Sequence, residues 1–278
     1  MVTFEKVKKK NVERLTEYGF SIVKTKGKYE QLRLKGPVIL IFFNSNKLLL
    51  QGPEDKVIEV SDMLKKLKIG HLAGKVKRKV AFKQERGTLI GSDEALKGDT
   101  FGGIVVAAVR ADPSERKKLK GLGVTDSKLY NDAEVGAIAE QIKKAVKYNV
   151  ISLEPKEYNK LIKQYNVTGL LNLLHRDCAA KLKLDGLSKH IVDLFPGCKT
   201  GDISVTKAES KYLEVAAASI LARAEALKQI DKLSKRLKIR VPKGSTHVRE
   251  ALNHLKRTNK PFERYVKLNF SNVKSMLE

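Results

Sequence analysis

The sequence has few cysteines and no long apolar run, and each shortage excludes a class of protein. Cys178 and Cys198 are too few to staple 278 residues with disulfides, and they lack the CxxC spacing of a metal site. The longest apolar candidate, residues 37–43, is far shorter than the roughly 20 residues that span a bilayer. The first ten residues are basic without an apolar core, so no secretory signal is predicted. We therefore expect a cytoplasmic protein that has no membrane partner.

Three familiar catalytic patterns are also missing. Without a GxxxxGK[ST] loop the chain is not predicted to be a P-loop NTPase, and it has no GxSxG nucleophile elbow. Its five histidines show no HExxH spacing, which excludes the common zinc-protease pattern. No pattern indicates a Ser/His or Cys/His nucleophile.

Acidic residues are outnumbered, with 31 Asp and Glu against 56 Lys and Arg, which gives a net charge of +25. Solubility is the simpler explanation of excess lysine, but a surplus of this size also attracts polyanions, and nucleic acid is the leading partner class. Residues 1–83 carry +12 and the longer remainder +13. The front part is therefore predicted to bind phosphate backbones through its positive charge, as an electrostatic handle on nucleic acid.

Hydrophobic periodicity and Gly/Pro positions divide the chain into three predicted parts. They are a small α+β unit over residues 1–70, a basic linker over residues 71–85 and a larger α/β unit over residues 86–278. In the front unit we predict a helix over residues 7–18, a sheet of four strands over 20–25, 29–34, 38–43 and 47–51, and a second helix from residue 53 onward. In the larger unit we predict strands at 89–94, 103–110, 149–153, 190–195 and 202–206, and helices at 133–148, 155–165, 170–184, 212–237 and 261–278.

Four acidic residues stand out in the larger unit. Asp93 and Glu94 end an apolar strand among glycines, and neighbouring side chains on a strand serve one site only where it ends or bulges. Asp193 interrupts the apolar run IVDLF, where an unpaired charge is costly to bury. Glu209 precedes the helix that begins with VAAASILA. Taken singly, each acid fits a structural role at least as well as a catalytic one. Asp93 and Glu94 fit a solvated pair, Asp193 an outward-facing strand residue, and Glu209 a helix cap.

Together the four acids fit a metal-dependent site. Hard cations such as Mg²⁺ take oxygen ligands, and two ions about 4 Å apart can activate a water and stabilise a leaving oxygen. The same carboxylates repel one another without a cation, so a bound metal is expected to stabilise the fold.

Several longer motifs occur in order along the chain. They are GSDEALKGDTFGG (91–103), LGVTDSKLY (122–130), HIVDLFPG (190–197), TKAESKYLEVAAASILAR (206–223), VPKGSTHV (241–248) and YVKLNF (265–270). These strings resemble ribonuclease HIII, a type 2 ribonuclease H. KLLLQGPEDKV (47–57) resembles the TBP-like amino-terminal domain that distinguishes HIII from HII. The resemblance covers nearly the whole chain.

The resemblance implies a fold, a reaction and a site. The fold would be RNase H-like, a mixed central sheet flanked by helices, preceded by the small α+β TBP-like domain. The chain would be an endonuclease that cuts the RNA strand of RNA/DNA hybrids with Mg²⁺ or Mn²⁺ in a two-metal site, leaving 5′-phosphate and 3′-hydroxyl ends. The catalytic and metal residues would be Asp93, Glu94, Asp193 and Glu209, and a glutamate in the fourth position favours HIII over HII. We expect a monomer with no obligate protein partner.

The resemblance also suggests substrate contacts and shows two departures. The residues expected near the hybrid are Lys97, Gly98, Ser127, Lys128, Asn166 and Asn172. Asp126 is expected to be structural and His175 to be a packed helix residue. Leu96 stands where the family usually has glycine, and Asn269 stands where it commonly has histidine.

Two rival functions are kept open. One is HII-like incision at single ribonucleotides embedded in duplex DNA, and a comparison of two substrates separates it from hybrid cleavage. The other is a non-catalytic nucleic-acid-binding protein, for which carboxylates facing phosphate would have no purpose. A metal-dependent cleavage assay separates that rival from either enzyme.

Overall fold

The chain divides into two compact units, Met1–Arg78 and Lys79–Glu278, in a computed structural model. The structure describes residues 2–73, 82–83, 86–184 and 188–277. Each unit has an apolar core of its own. The boundaries predicted at residues 70 and 86 stay predictions, because most of the proposed linker lies outside the described residues.

Residues 2–73 form a six-stranded antiparallel sheet with helices packed on one face. The strand order is β2-β3-β4-β5-β1-β6. The elements are β1 Val2–Glu5, α1 Lys9–Glu13, β2 Ser21–Val23, β3 Glu30–Lys35, β4 Ile39–Phe43, β5 Leu48–Gln51, α2 Glu54–Lys66 and β6 His71–Leu72. Apolar residues of α2 and the α1 segment share one core with alternate residues of the strands.

The predicted helix–sheet–helix order is wrong at the front of this unit. The chain opens with β1, which lies between β5 and β6 inside the sheet. Four residues are too few to show an alternating pattern, although Phe4 is fully buried. The helix predicted over residues 7–18 is divided into α1 and a 3-10 segment, Arg14–Tyr18, and Gly19 ends it with a φ of 81°. The four predicted strands are present.

The described part of the second unit is built on a five-stranded mixed sheet. Its order is β11-β10-β7-β8-β9, with β10 parallel to both of its neighbours and the other pairs antiparallel. The elements are β7 Thr88–Ala95, β8 Ile104–Ala111, α3 Pro113–Gly121, α4 Asp132–Ala145, β9 Lys147–Leu153, α5 Pro155–Leu161, α6 Val167–Ala180, β10 Ser188–Asp193, β11 Ile203–Val205, α7 Leu213–Leu237, α8 Arg249–Arg257 and α9 Ser271–Leu277.

Helices cover both faces of this sheet, which explains the continuous apolar run of β8. Val105, Ala107 and Val109 join the core formed with α4 and α7. Ile104, Val106 and Ala108 face the opposite core, which includes residues of α6. A strand buried on both faces shows no alternation of apolar and polar residues. None of the helices that the structure describes, α7 included, is long and apolar enough to cross a membrane.

Two helices were missed by the sequence analysis, and one was misplaced. α3 begins at Asp112-Pro113, where the Asp112 side chain accepts from the amides of Ser114 and Glu115 in a capping box. Its buried residues are Arg116 and Leu119, which form no apolar stripe that the sequence could show. α8 has three buried residues, Ala251, Leu252 and Leu255, too few for a clear period. The predicted tail helix begins only at Ser271.

Helix α7 packs tightly against the sheet at Gly91, and this contact yields a stability prediction. A Cβ at Gly91 would lie 2.3 Å from the Val215 amide nitrogen, which is backbone and cannot rotate away. We expect Gly91→Ala to lower the free energy of unfolding by roughly 1–3 kcal/mol. Gly136→Ala in α4 is the control, because nothing lies within 4 Å and alanine favours helix there. Denaturant unfolding that gave both variants equal stability would refute the packing argument.

Candidate active site

The four predicted acids meet where two parallel strands end. Asp93 and Glu94 lie near the carboxyl end of β7, and Asp193 is the last residue of β10. The parallel register pairs Val192 with Ser92, so Asp193 follows directly beside Asp93. Glu209 lies in the 3-10 turn Ala208–Ser210 immediately before α7. Residues from three separate stretches of sequence therefore share one edge of the sheet.

Asp93 and Glu94 serve this edge from opposite faces of β7. The Ser219 hydroxyl, on α7, donates to Asp93. Glu94 points toward α6, where its Oε2 lies 3.3 Å from His175 Nε2, and its Oε1 accepts from Lys97 at 2.8 Å. Strand alternation requires this divergence, and the pair shares one site because β7 ends at the next residue.

Asp193 and Glu209 are joined through the backbone of the turn that carries Glu209. The Ala208 amide donates to Asp193 Oδ1 at 2.8 Å, which fixes the turn against the end of β10. Glu209 is 7% exposed, and its Oε1 lies 3.3 Å from Lys128 Nζ. Its Oε2 is buried without a hydrogen-bond partner. An acceptor buried in this way indicates a place for a further donor or a cation.

The electrostatics of the site reflect crowded negative charge. Burial raises the pKa of Asp93, and the charges of Glu94 and Asp193 raise it further. Burial likewise raises the pKa of Asp193, with Glu209 and Glu94 adding to the effect. For Glu94, burial is outweighed by contacts with His175 and Lys97, which lower its pKa. The site therefore holds acids that compete for protons and would gain from a bound cation.

A divalent cation fits this site by donor chemistry. All four side chains offer carboxylate oxygens, the ligands that Mg²⁺ and Mn²⁺ favour, and one of those oxygens is an unpartnered acceptor. As placed, no three His, Cys, Asp or Glu side chains among the described residues form a metal-holding group. The fit therefore rests on charge and on oxygen donors, and the ligand set stays a prediction.

A buried polar chain supports Glu94 and was missed by the sequence analysis. Ser92 Oγ lies 2.8 Å from His175 Nδ1 and 2.7 Å from His190 Nε2. Burial lowers the pKa of His190 to about 4, with the neighbouring His175 adding to the effect, so the His190 imidazole is neutral at pH 7. His175 is packed in α6 as expected, but its ring also reaches an acid of the site. The only signal in the sequence was a serine inside an apolar strand.

The predicted substrate residues fall into two groups. Lys97 and Lys128 are next to the acids, and Gly98 is exposed beside Lys97. Ser127 is buried, and its hydroxyl lies 3.0 Å from that of Ser219, the partner of Asp93. Asp126 caps the Ser127–Leu129 turn by accepting from the Lys128 amide, a structural role as predicted.

Asn166 and Asn172 form the second group, and the structure uses both amides to order the backbone. Asn166 caps α6 by accepting from the Gly169 amide at 2.7 Å. Asn172 accepts from the Lys199 amide at 2.6 Å and donates to the Gly197 carbonyl at 3.0 Å. A contact of either residue with substrate stays a prediction.

Comparison with known proteins places this site in a family. The family model described as Ribonuclease HII matches residues 90–273, a range that includes all four acids. The chain belongs to the ribonuclease HII family. Ribonuclease HIII of Mycoplasma pneumoniae is 36% identical over 224 residues, which cover 68% of this chain and 94% of that protein. Ribonuclease HIII of Ureaplasma parvum is 37% identical over 177 residues, 57% of this chain, and the chain spans 56% of that protein's length.

The solved structures agree with this family membership. A crystal structure of Bst ribonuclease HIII in complex with Mn²⁺ aligns with a TM-score of 0.64 and 26% identity, and the alignment covers 99% of this chain and 97% of that one. The predicted likeness to ribonuclease HIII, a ribonuclease H hydrolase, is confirmed, as is the RNase H-like fold. The TBP-like character of the front unit stays a prediction.

Proposed function

We propose that this chain is an endonuclease that hydrolyses the RNA strand of RNA/DNA hybrids and leaves 5′-phosphate and 3′-hydroxyl ends. The observation that carries the proposal is the meeting of Asp93, Glu94, Asp193 and Glu209 at one sheet edge, beside two lysines. A protein that only bound nucleic acid would have no use for four acids facing a polyanion. The family relatives named ribonuclease HIII support the same reaction.

The four carboxylates would hold two divalent cations, Mg²⁺ or Mn²⁺. Bound there, the ions supply a more acidic water and positive charge near the leaving oxygen. The chain's own residues prepare that site. Ser219 orients Asp93 by a hydrogen bond, and the Ala208 amide orients Asp193. His175 and Lys97 keep Glu94 ionised at neutral pH by lowering its pKa.

Lys97 and Lys128 would hold substrate phosphates. Each ammonium contacts one acid of the site, so a phosphate bound by the lysine lies next to the carboxylates. The Lys128 side chain is 75% exposed, so a substrate phosphate can reach it from solvent. The choice of a hybrid would come from 2′-hydroxyls read in a wide minor groove. We expect the protein to act as a monomer.

Two substrates test the proposal against its nearest rival. One is a continuous RNA/DNA hybrid, and the other is a DNA duplex with a single ribonucleotide of the same sequence, each assayed with Mg²⁺ and with Mn²⁺. Faster cleavage of the continuous hybrid is the expected result. Preference for the single ribonucleotide would replace the proposal with HII-like incision, and no cleavage of either substrate by the wild-type protein would overturn both enzymatic functions.

Deleting residues 1–70 is expected to weaken hybrid binding and to flatten its dependence on salt. The deleted residues carry 15 Lys and Arg against 8 Asp and Glu, a net charge of +7, and affinity that depends on phosphate contacts falls steeply with salt. Fluorescence anisotropy with a labelled hybrid, repeated over a salt series, measures both effects. An unchanged slope would show that the front unit is not the electrostatic handle.

A further inference from the structure

The turn that follows β7 has an unusual backbone. Residues 96–99 are closed by the Asp99 amide, which donates to the Leu96 carbonyl at 3.2 Å, and Lys97 and Gly98 lie at the tip. Leu96 has a φ of 65°, in the left-handed region that costs a non-glycine residue on the order of 1 kcal/mol. Its side chain is buried in the main core of the unit. This strained turn holds Lys97 next to Glu94.

Lys267 lies beneath this turn and is fully buried. Its Nζ donates to the carbonyl oxygens of Leu96 at 2.6 Å and Asp99 at 2.5 Å, so one ammonium contacts both ends of the turn. Its own backbone amide donates to the Thr100 carbonyl at 3.0 Å. The aromatic rings of Tyr158 and Phe270 flank the ammonium at 5.5 Å and 5.2 Å.

Neighbouring segments hold the same turn from a second side. The Thr100 amide donates to the Gly244 carbonyl, and the Gly244 amide returns a bond to Asp99 Oδ1 at 2.6 Å. Asn272 donates to Thr100 Oγ1 at 2.9 Å. These bonds fix the exit of the turn at residues 99–100. The Lys267 side chain bonds to both the entry of the turn, at Leu96, and its exit, at Asp99.

A buried lysine is an expensive way to satisfy two carbonyl groups. Desolvating an ammonium costs far more than desolvating a neutral donor, and burial lowers the pKa of Lys267 to about 7. A water or an amide side chain could donate to one carbonyl without that cost. A flexible chain ending in three donors is suited to drawing two carbonyls toward one point.

We propose that Lys267 is a positioning residue that sets the 96–99 turn, and through it the position of Lys97 against Glu94 and the substrate phosphate. The inference rests on the proposed function, because the phosphate belongs to the hybrid. If Lys267 served stability alone, its replacement would weaken every property of the protein together. If it is a positioning residue, its replacement weakens hybrid binding through Lys97.

A double-mutant cycle on hybrid binding separates the two roles. Lys267→Met, Lys97→Ala and the double variant are compared by anisotropy with a labelled hybrid in EDTA. We expect Lys267→Met to weaken binding about five-fold or more and to lower the salt slope by about one phosphate contact. In the Lys97→Ala background, Lys267→Met is expected to cause no further loss. The proposal would be overturned if the double variant lost affinity by the product of the two single losses. It would also be overturned if Lys267→Met left the affinity unchanged.

Two further variants separate positioning from loss of stability. Lys267→Gln keeps a donating amide and is expected to lose less affinity than Lys267→Met. Leu255→Ala removes a buried side chain of the same core, in α8, and is expected to lower stability without a change in hybrid affinity. If Leu255→Ala reproduced the loss seen for Lys267→Met, the role of Lys267 would be structural only.

Hydrogen exchange tests the turn without reference to any substrate. The amides of Asp99 and Thr100 are expected to exchange at least ten-fold faster in Lys267→Met, while amides in β8 keep their protection. Equal protection of the Asp99 and Thr100 amides in variant and wild type would overturn the proposal. If the wild-type protein bound no hybrid at all, the proposed function would fail, and the exchange rates would still decide whether Lys267 holds the turn.

Discussion

Replacing Asp193 with asparagine is expected to lower the rate of hybrid cleavage by roughly 10²- to 10³-fold, the range seen when one electrostatic contact to a transition state is removed. Asparagine keeps the shape of the side chain and an oxygen that accepts from the Ala208 amide. What it removes is the negative charge at the end of β10. Single-turnover cleavage of a labelled hybrid with Mg²⁺ and with Mn²⁺ measures the loss.

Stability controls accompany this prediction. Burial and acidic neighbours raise the pKa of Asp193, so its ionised form is unfavourable in the fold, and the neutral amide is expected to fold at least as stably. Asp231→Asn is the matched control, because Asp231 is an exposed carboxylate on α7 that pairs only with Lys235 among the described ion pairs. Cleavage by Asp193→Asn near the wild-type rate would remove Asp193 from the catalytic set.

The second large effect is a dependence of stability on pH that originates at Lys267. In the folded protein burial lowers the pKa of this ammonium from 10.5 to about 7. Between these values the unfolded chain binds the proton and the folded chain does not, so stability rises with pH. Below pH 7 the folded protein carries the full cost of a buried charge. From pH 7 to pH 9 the gain is roughly 2–3 kcal/mol.

The Lys267→Met variant isolates this contribution, because methionine has no proton to lose. Urea unfolding of both proteins is measured at pH 7, 8 and 9. We expect the unfolding free energy of the wild type to rise with pH relative to that of Lys267→Met. All other titrating groups are shared, so their effects cancel in the difference. A difference that stayed constant over this range would mean that Lys267 keeps an ordinary pKa in the fold.

The candidate site could be predicted from sequence where charge interrupts an apolar pattern. Asp193 inside IVDLF and Asp93-Glu94 at the end of an apolar strand conflict with burial, and the structure places all three at one edge of the sheet. The five-stranded sheet that carries the site was also predictable, since its strands are apolar runs bounded by polar residues. The front strand β1 was not, because a four-residue segment carries too little pattern.

The supporting residues could not be predicted, because their roles depend on contacts between distant parts of the chain. Ser92 meets two histidines more than 80 positions away, and Lys267 meets a turn about 170 positions away. In the sequence, Lys267 is one lysine among many and looks like any exposed one. Leu96 was noted as a departure from the family pattern, but its left-handed backbone is a property of the folded turn.

The parallel pairing of β10 with β7 has a consequence for how the protein is made. Asp93 and Asp193 are 100 positions apart, and the strand pairing that joins them spans the whole β8–α6 region. Such pairings have high contact order, and the entropy of closing so long a loop delays them in folding. A nascent chain whose β10 has not yet emerged from the ribosome therefore carries Asp93 and Glu94 without Asp193 beside them. The site would be complete only once β10 and the turn that carries Glu209 have both left the ribosome.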